Sequence, residues 1–282
     1  MMRIAHISDL HFGTHLPPLA ETLCAEIRRM RPDLVALSGD LTQHARPREF
    51  AAAATFIRRL PDPVLVVPGN HDLPGWRPWR RFVHPWREWR RHISEDLESS
   101  VRGRDFIAIG VKTARRWGMH LDWSRGRINL DQLGRVVRLA GASEPDAVRI
   151  LVAHHPFLLS DAVRKRGLVG RADEILDGLR SARIDLILGG HLHRSDAGTA
   201  NGIVVAQAGT AISSRRKGEP NAYNRIQASS RQIRIEAMRW DGKRFAVAGS
   251  SSFQRSELGW APAAHNLHSS PQFEPPSSNN GV

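Results

Sequence analysis

Seven side chains in this sequence are of kinds that hold metal ions: Asp9 and His11, Asp40, Asn70, His154, and His191 with His193. Each group sits directly after a short apolar run. Carboxylate and imidazole together suit Mn, Fe or Zn. An aspartate such as Asp40 has two oxygens and can bridge two cations. Two such ions about 3.5–4 Å apart can activate a water and clamp the oxygens of an in-line phosphoryl displacement. A protein nucleophile has no support in the residues. The one cysteine, Cys24, falls on the apolar side of an amphipathic stretch, and no serine sits in a nucleophile-elbow motif.

These residues need elements that bring them together. Residues 3–8, 33–38 and 63–67 read as strands, and 19–30 and 48–60 carry helical periodicity. Strand alternating with helix argues for a layered α/β fold. Further on, 104–113 and 148–153 read as strands, 131–139 and 172–181 as helices, and 184–188 as a strand that ends at Gly189-Gly190-His191. Residues 203–206, 222–228 and 232–240 read as later strands, expected to be antiparallel. Ligand-type residues thus follow the ends of five strands far apart in sequence. In α/β folds, loops at the carboxyl ends of strands converge on a site. Gly39, Gly69, Gly189 and Gly190 suit the tight turns and close backbone approach such a site needs.

Five segments, His6-Ile-Ser-Asp-Leu-His-Phe-Gly13, Gly39-Asp40, Gly69-Asn-His-Asp72, His154-His-Pro156 and Gly190-His-Leu-His193, carry a resemblance. In that order they are similar to the motifs of the calcineurin-like metallophosphoesterase superfamily, in its bacterial class III cyclic-nucleotide phosphodiesterase branch. The likeness covers roughly residues 1–210. It implies a four-layer α/β/β/α sandwich and two divalent or trivalent transition-metal ions, Mn, Fe or Zn. Asp9, His11 and His193 would hold one ion and Asn70, His154 and His191 the other, with Asp40 bridging. Of the adjacent pair His154 and His155, the first would be the ligand. His71 and Asn70 would meet the substrate phosphate, and Asp72 would orient the His71 ring as part of the catalytic pair. The reaction implied is hydrolysis of a small phosphodiester, a cyclic nucleotide foremost, by metal-activated hydroxide. Two alternatives stand beside it: a pyrophosphohydrolase acting on a UDP-linked lipid at the membrane surface, and a non-catalytic metal-bound scaffold.

The chain has 282 residues, 41% of them hydrophobic, which allows one large domain with an insertion and a tail. We expect a catalytic domain over 1–248, a Trp/Arg-rich insertion at about 73–100, and a disordered tail over 249–282, where Ser, Pro and Asn abound. In the insertion, Trp76, Trp79, Val83, Trp86, Ile93 and Leu97 fall near helical spacing with arginines between them, while prolines at 74, 78 and 85 preclude one continuous helix. Three roles suit it: an aromatic face packed on the domain with arginines in water, a wall of the site mouth, or a contact with an anionic membrane. The loop 208–221 carries Arg215, Arg216 and Lys217, either as an exposed basic loop or as a substrate contact with Arg215 foremost. A net charge of +13 favours polyanionic partners: nucleotides, nucleic acid or an anionic membrane surface. No nucleic-acid motif accompanies it. A single cysteine excludes an intramolecular disulfide, no secretory signal is visible, and no apolar run nears the roughly 18 residues of a membrane span. The expected location is the cytoplasm. Oligomeric state is not legible.

Overall fold

The computed structural model describes residues 1–75, 78–115, 126–157 and 172–263. Its elements run β1 (Met2–Ile7), α1 (Pro17–Met30), β2 (Leu34–Ser38), α2 (Pro47–Ile57), β3 (Val64–Val67), α3 (Pro78–Val83), α4 (Arg87–His92), β4 (Ser100–Arg102) and β5 (Phe106–Gly110). There follow α5 (Leu130–Gly141), β6 (Val148–Val152), α6 (Ala172–Ser181), β7 (Leu186–Gly189), β8 (Asp196–Ala200), β9 (Ile203–Gln207), β10 (Ala222–Ala228), β11 (Gln232–Trp240), β12 (Phe245–Ser256) and β13 (Gly259–Pro262). The strands form a seven-stranded sheet, β13-β12-β11-β10-β1-β2-β3, and a six-stranded sheet, β4-β5-β6-β7-β9-β8.

Three apolar interiors separate four layers. Ile4, Leu34, Leu65, Ile150, Leu186 and Val204 meet between the two sheets. Leu19, Leu23, Ile27, Phe50 and Phe56 pack α1 and α2 on the outer face of the first sheet. Val136, Ile175 and Leu179 pack α5 and α6 on the outer face of the second. The expected α/β/β/α sandwich is therefore what forms. β2, β5 and β6 are buried along their whole length, which is why they read as continuous apolar runs. β1–β2–β3 and β5–β6–β7–β9 are parallel, so their carboxyl ends share one edge of each sheet.

Local chemistry sets the helix boundaries. Pro17 opens α1, and Arg31 closes it in the left-handed region at φ 48°. Asn129 accepts the Gln132 N–H while the Gln132 side chain accepts the Asn129 N–H, a reciprocal cap on α5.

Three expectations change. β9 pairs parallel with β7 and antiparallel only with β8, because β8, a Gly- and Thr-bearing strand without an apolar period, takes the edge. The expected tail is also revised: β12 runs on to Ser256 and β13 follows it. Residues 249–256 are rich in Ser and carry no apolar alternation, so their strand character comes from pairing with β11 and from two buried anchors, Phe253 and Trp260. Residues 264–282 of that expectation lie outside the described residues. The insertion splits into α3 and α4, as its prolines imply, and what changes is which side chains face inward. Trp86 and Trp89 are buried, and the Trp89 ring meets Phe50 edge-on at 6.4 Å. Trp79 and Val83 point to solvent instead, and Arg81 is buried. Trp76 lies outside the described residues.

Candidate metal centre

The loops after β1, β2, β3, β6 and β7 meet at the shared edge. Backbone bonds stitch them in pairs: Asp9 N–H donates to the Gly39 carbonyl (3.1 Å), His11 N–H to the Asp40 carbonyl (3.0 Å), and Gly190 N–H to the His154 carbonyl (2.9 Å). Asp9, His11, Asp40, His191 and His193 all have positive φ, at 52°, 45°, 52°, 73° and 61°. For residues with a Cβ this region is sparsely populated and costs about 1–3 kcal/mol at each position. The packed loops impose it, and it turns successive side chains inward. Two glycines allow the loops to close. A Cβ on Gly69 would lie 2.1 Å from Asp40 Oδ1, and one on Gly190 would lie 1.9 Å from Ser8 Oγ.

All seven ligand-type residues converge. Asp9, His11 and His193 form one candidate group, Asp9, Asp40 and His154 a second, and His154, His155 and His191 a third. Asp40 Oδ2 lies 3.4 Å from His154 Nε2 and 3.9 Å from His11 Nε2, so this carboxylate faces both sides of the cluster. Asn70 Oδ1 sits 3.1 Å from His154 Nε2 and 3.0 Å from His191 Nδ1. His193 Nε2 is 3.4 Å and His11 Nε2 3.6 Å from Asp9 Oδ1.

In two of the rings, His154 and His193, the opposite nitrogen is held by groups outside the cluster. His154 Nδ1–H donates to the Ser38 carbonyl at 2.7 Å, leaving Nε2 facing the centre. His193 Nδ1 lies 2.6 Å from Thr210 Oγ1 and 3.1 Å from the Arg215 carbonyl. Asp9 Oδ2 accepts the His191 N–H (3.0 Å) and the Ser8 hydroxyl (2.7 Å). Such partners fix which nitrogen ligates. Asp9 Oδ1 is left buried with no hydrogen-bond partner among the described residues. A buried anionic oxygen in that state is costly unless a cation meets it. The donor set, carboxylates, imidazoles and an amide oxygen, fits transition-metal ions.

The electrostatics agree. Burial pushes His191 down to about 3 and His193 down to about 4, which keeps these rings neutral and able to ligate. Burial also opposes charge on Asp9 and Asp40, yet His193 and His154 respectively hold both carboxyls below the usual range. Burial would lower His154, but Asp40 beside it raises it to about 9.

His71 stands at the rim, half-buried, with its N–H on Asp40 Oδ1 (2.8 Å). Its ring is oriented by the Gln43 carbonyl, 2.9 Å from Nδ1, and not by Asp72 as expected. The Asp72 oxygens instead accept from Gly69 N–H (2.9 Å), Leu41 N–H (3.2 Å), Thr42 N–H (2.9 Å) and the Thr42 hydroxyl (3.0 Å). Asp72 therefore ties the β2 and β3 loops together, and burial lifts its carboxyl to about 6, with Asp40 adding to the shift. Arg215 reaches the site: Nη1 is 2.7 Å from His71 Nε2 and 3.3 Å from Gln43 Oε1. Sequence reasoning missed Thr210, Ser8 and the Gln43 carbonyl. A threonine, a serine and a backbone oxygen carry no ligand signal of their own.

Buried carboxylate and imidazole at the carboxyl ends of two facing sheets define a candidate metal centre, and the family match makes the chain a metal-dependent phosphoester hydrolase. The chain belongs to the calcineurin-like phosphoesterase family, whose sequence model matches residues 2–195. A probable cyclic nucleotide phosphodiesterase of a Synechococcus strain is 27% identical over 206 residues, covering 69% of this chain and 74% of its own length. A glycerophosphodiester phosphodiesterase of Enterobacter lignolyticus is 35% identical over 82 residues, 25% of this chain and 30% of that protein. A purple acid phosphatase from yellow lupin (Lupinus luteus) seeds has the same fold at a TM-score of 0.67 and 14% identity; the match covers 91% of this chain and 54% of that one, so this chain spans about half of it. The two sequence relatives bear diesterase names, which does not favour the pyrophosphohydrolase or scaffold alternatives. Among the described residues, no helix is long and apolar enough to cross a membrane.

Proposed function

We propose that this chain hydrolyses a small phosphodiester, with cyclic nucleotides as the leading class, at a centre of two transition-metal ions drawn from Mn, Fe and Zn. The observation that carries the reading is Asp40, whose Oδ2 faces His11 on one side and His154 on the other. Asp9, His11 and His193 would hold one ion and Asn70, His154 and His191 the second, with Asp40 shared. When bound, the ions supply Lewis-acid charge to the phosphoryl oxygens and lower the pKa of a water. The chain's own residues do the rest. His71 Nδ1 is engaged by Gln43, so Nε2 is the atom that meets the substrate, and Arg215 stands beside it. A phosphoryl oxygen arriving there would exchange with His71 for the Arg215 N–H. Burial lowers the His71 pKa and leaves Nε2 as an acceptor, so to protonate the leaving oxygen the ring would first take a proton from water on Nε2 once the Arg215 N–H has moved to the phosphate. Arg215 brings charge to the phosphate, as a guanidinium does. The diester class is supported by the names of the two sequence relatives, and the cytoplasm by the single cysteine.

The test is a substrate panel on metal-reconstituted protein: cyclic nucleotides, bis(p-nitrophenyl) phosphate and the corresponding monoester, with Asn70→Ala as the control. Diester turnover lost in the variant is the expected result. Turnover of monoesters alone would end the diesterase reading.

A further inference from the structure

Helix α3 is inside out. Trp79, Phe82 and Val83 stand at i, i+3 and i+4, one face of a helical turn, and are 58%, 44% and 59% exposed. The arginine of the same turn, Arg81, is only 4% exposed, and its Nη2 donates to the Arg115 carbonyl at 3.1 Å. A helix lying on a soluble core normally does the reverse, with apolar residues inward and the cation outward. Leaving an indole and a phenyl largely exposed on one helical face forfeits the burial such side chains normally gain. The stripe is also held firmly, because buried Trp86 and Trp89 anchor the following turn against Phe50.

Its surroundings are cationic. Arg87, Arg90 and Arg91 on the neighbouring helix α4 are exposed, as is His84 between the helices. The one acid within the two helices, Glu88, is largely withdrawn, with its side chain 17% exposed; Glu95 and Asp96 are exposed but lie beyond α4. Aromatic side chains beside arginines match the chemistry of a bilayer interface, where rings settle at headgroup level and guanidinium groups pair with lipid phosphates. A second copy of this chain would bring like charge to the same patch, since the net charge is +13.

We infer that the α3–α4 face is a docking surface for an anionic phospholipid membrane. Trp79 also lines a cavity with Asp72, the neighbour of His71, so the docked face adjoins the His71 side of the site rim. This inference does not depend on the substrate.

The test is sedimentation of the full chain with phosphatidylglycerol-containing vesicles and with phosphatidylcholine vesicles, at low and high salt. We expect binding to the anionic vesicles alone. It should fall at least ~5-fold in the double variant Phe82→Ser/Val83→Ser and in Arg90→Gln/Arg91→Gln, with the loss in the arginine pair mimicked by salt. Both variants alter exposed residues away from the metal cluster, so their melting temperatures and their turnover of soluble diester should match the parent. Three results would overturn the inference: no sedimentation with anionic vesicles at low salt; sedimentation that Phe82→Ser/Val83→Ser leaves unchanged, which means charge alone; or a dimer seen by light scattering that the same variant abolishes, which assigns the stripe to a second copy.

Discussion

At the scale of single residues, the centre depends on groups that aim its ligands. Thr210 Oγ1 sits 2.6 Å from His193 Nδ1, opposite the nitrogen that faces Asp9. Thr210→Val keeps the shape and removes the hydroxyl. We expect metal affinity to fall about tenfold or more, read by competition with a chelator, while the melting temperature of the metal-free protein changes little. Unchanged affinity would mean the Arg215 carbonyl alone suffices. His154 gives a pH dependence. Raised to about 9 by Asp40 in metal-free protein, it carries a proton at neutral pH that an incoming ion must displace. Metal affinity should therefore climb up to about pH 9 and then level. The stability that the charged His154–Asp40 pair gives the metal-free fold runs the other way. It is full below the ordinary imidazole value of 6.5 and is lost as pH rises through about 9. Metal-loading titrations across this range check the sign: affinity that is flat or falls with pH would contradict it.

At the scale of elements, the strand-end loops must touch, and glycine lets them. A Cβ at Gly190 would meet Ser8 Oγ at 1.9 Å and Asp9 Oδ2 at 2.7 Å, so Gly190→Ala must push the β7 loop away from the β1 loop. Displacing His191 and His193 by even an ångström should cost about 10²-fold in turnover, accompanied by loss of bound metal. A Gly190→Ala enzyme with normal metal content would refute the close-approach argument. The strands that deliver these loops were legible because they are largely buried and read as apolar runs. β8 and β12 were not: strands rich in Gly, Ser and Thr, one at a sheet edge and one paired between β11 and β13, owe their conformation to a neighbour's backbone rather than to their own side chains.

Across the whole molecule, the C-terminal strands clasp the two sheets. Asp185, before β7, accepts the Arg149 N–H at 2.9 Å, the Trp260 indole N–H at 3.1 Å and the Arg255 guanidinium. Arg255→Ala would leave this buried carboxylate short of its cation and should destabilise the fold by about 1–3 kcal/mol in urea denaturation. A chain ending at residue 248 loses Arg255 together with Phe253 and Trp260 from the core between the sheets, and its melting temperature should drop much further. Equal stability of the 1–248 chain and the full chain would show that these strands are dispensable to the fold.

The residue types pointed to the chemistry. Aspartates, histidines and an asparagine after apolar runs mark candidate metal ligands, and the order of the motifs carried the family. The periodicity of the buried parallel strands and amphipathic helices carried the layered fold, because burial leaves its pattern in side-chain polarity. Tertiary structure alone decided what depends on neighbours distant in the chain. It turned Asp9, His11, Asp40, His191 and His193 to positive φ, took Asp72 off the His71 ring to bind backbone amides, and brought Arg215 to that ring in its stead. It also drew residues that read as a tail into strands. A backbone angle, a carbonyl that orients a ring and an edge strand's partner are properties of packing, and local sequence does not encode them.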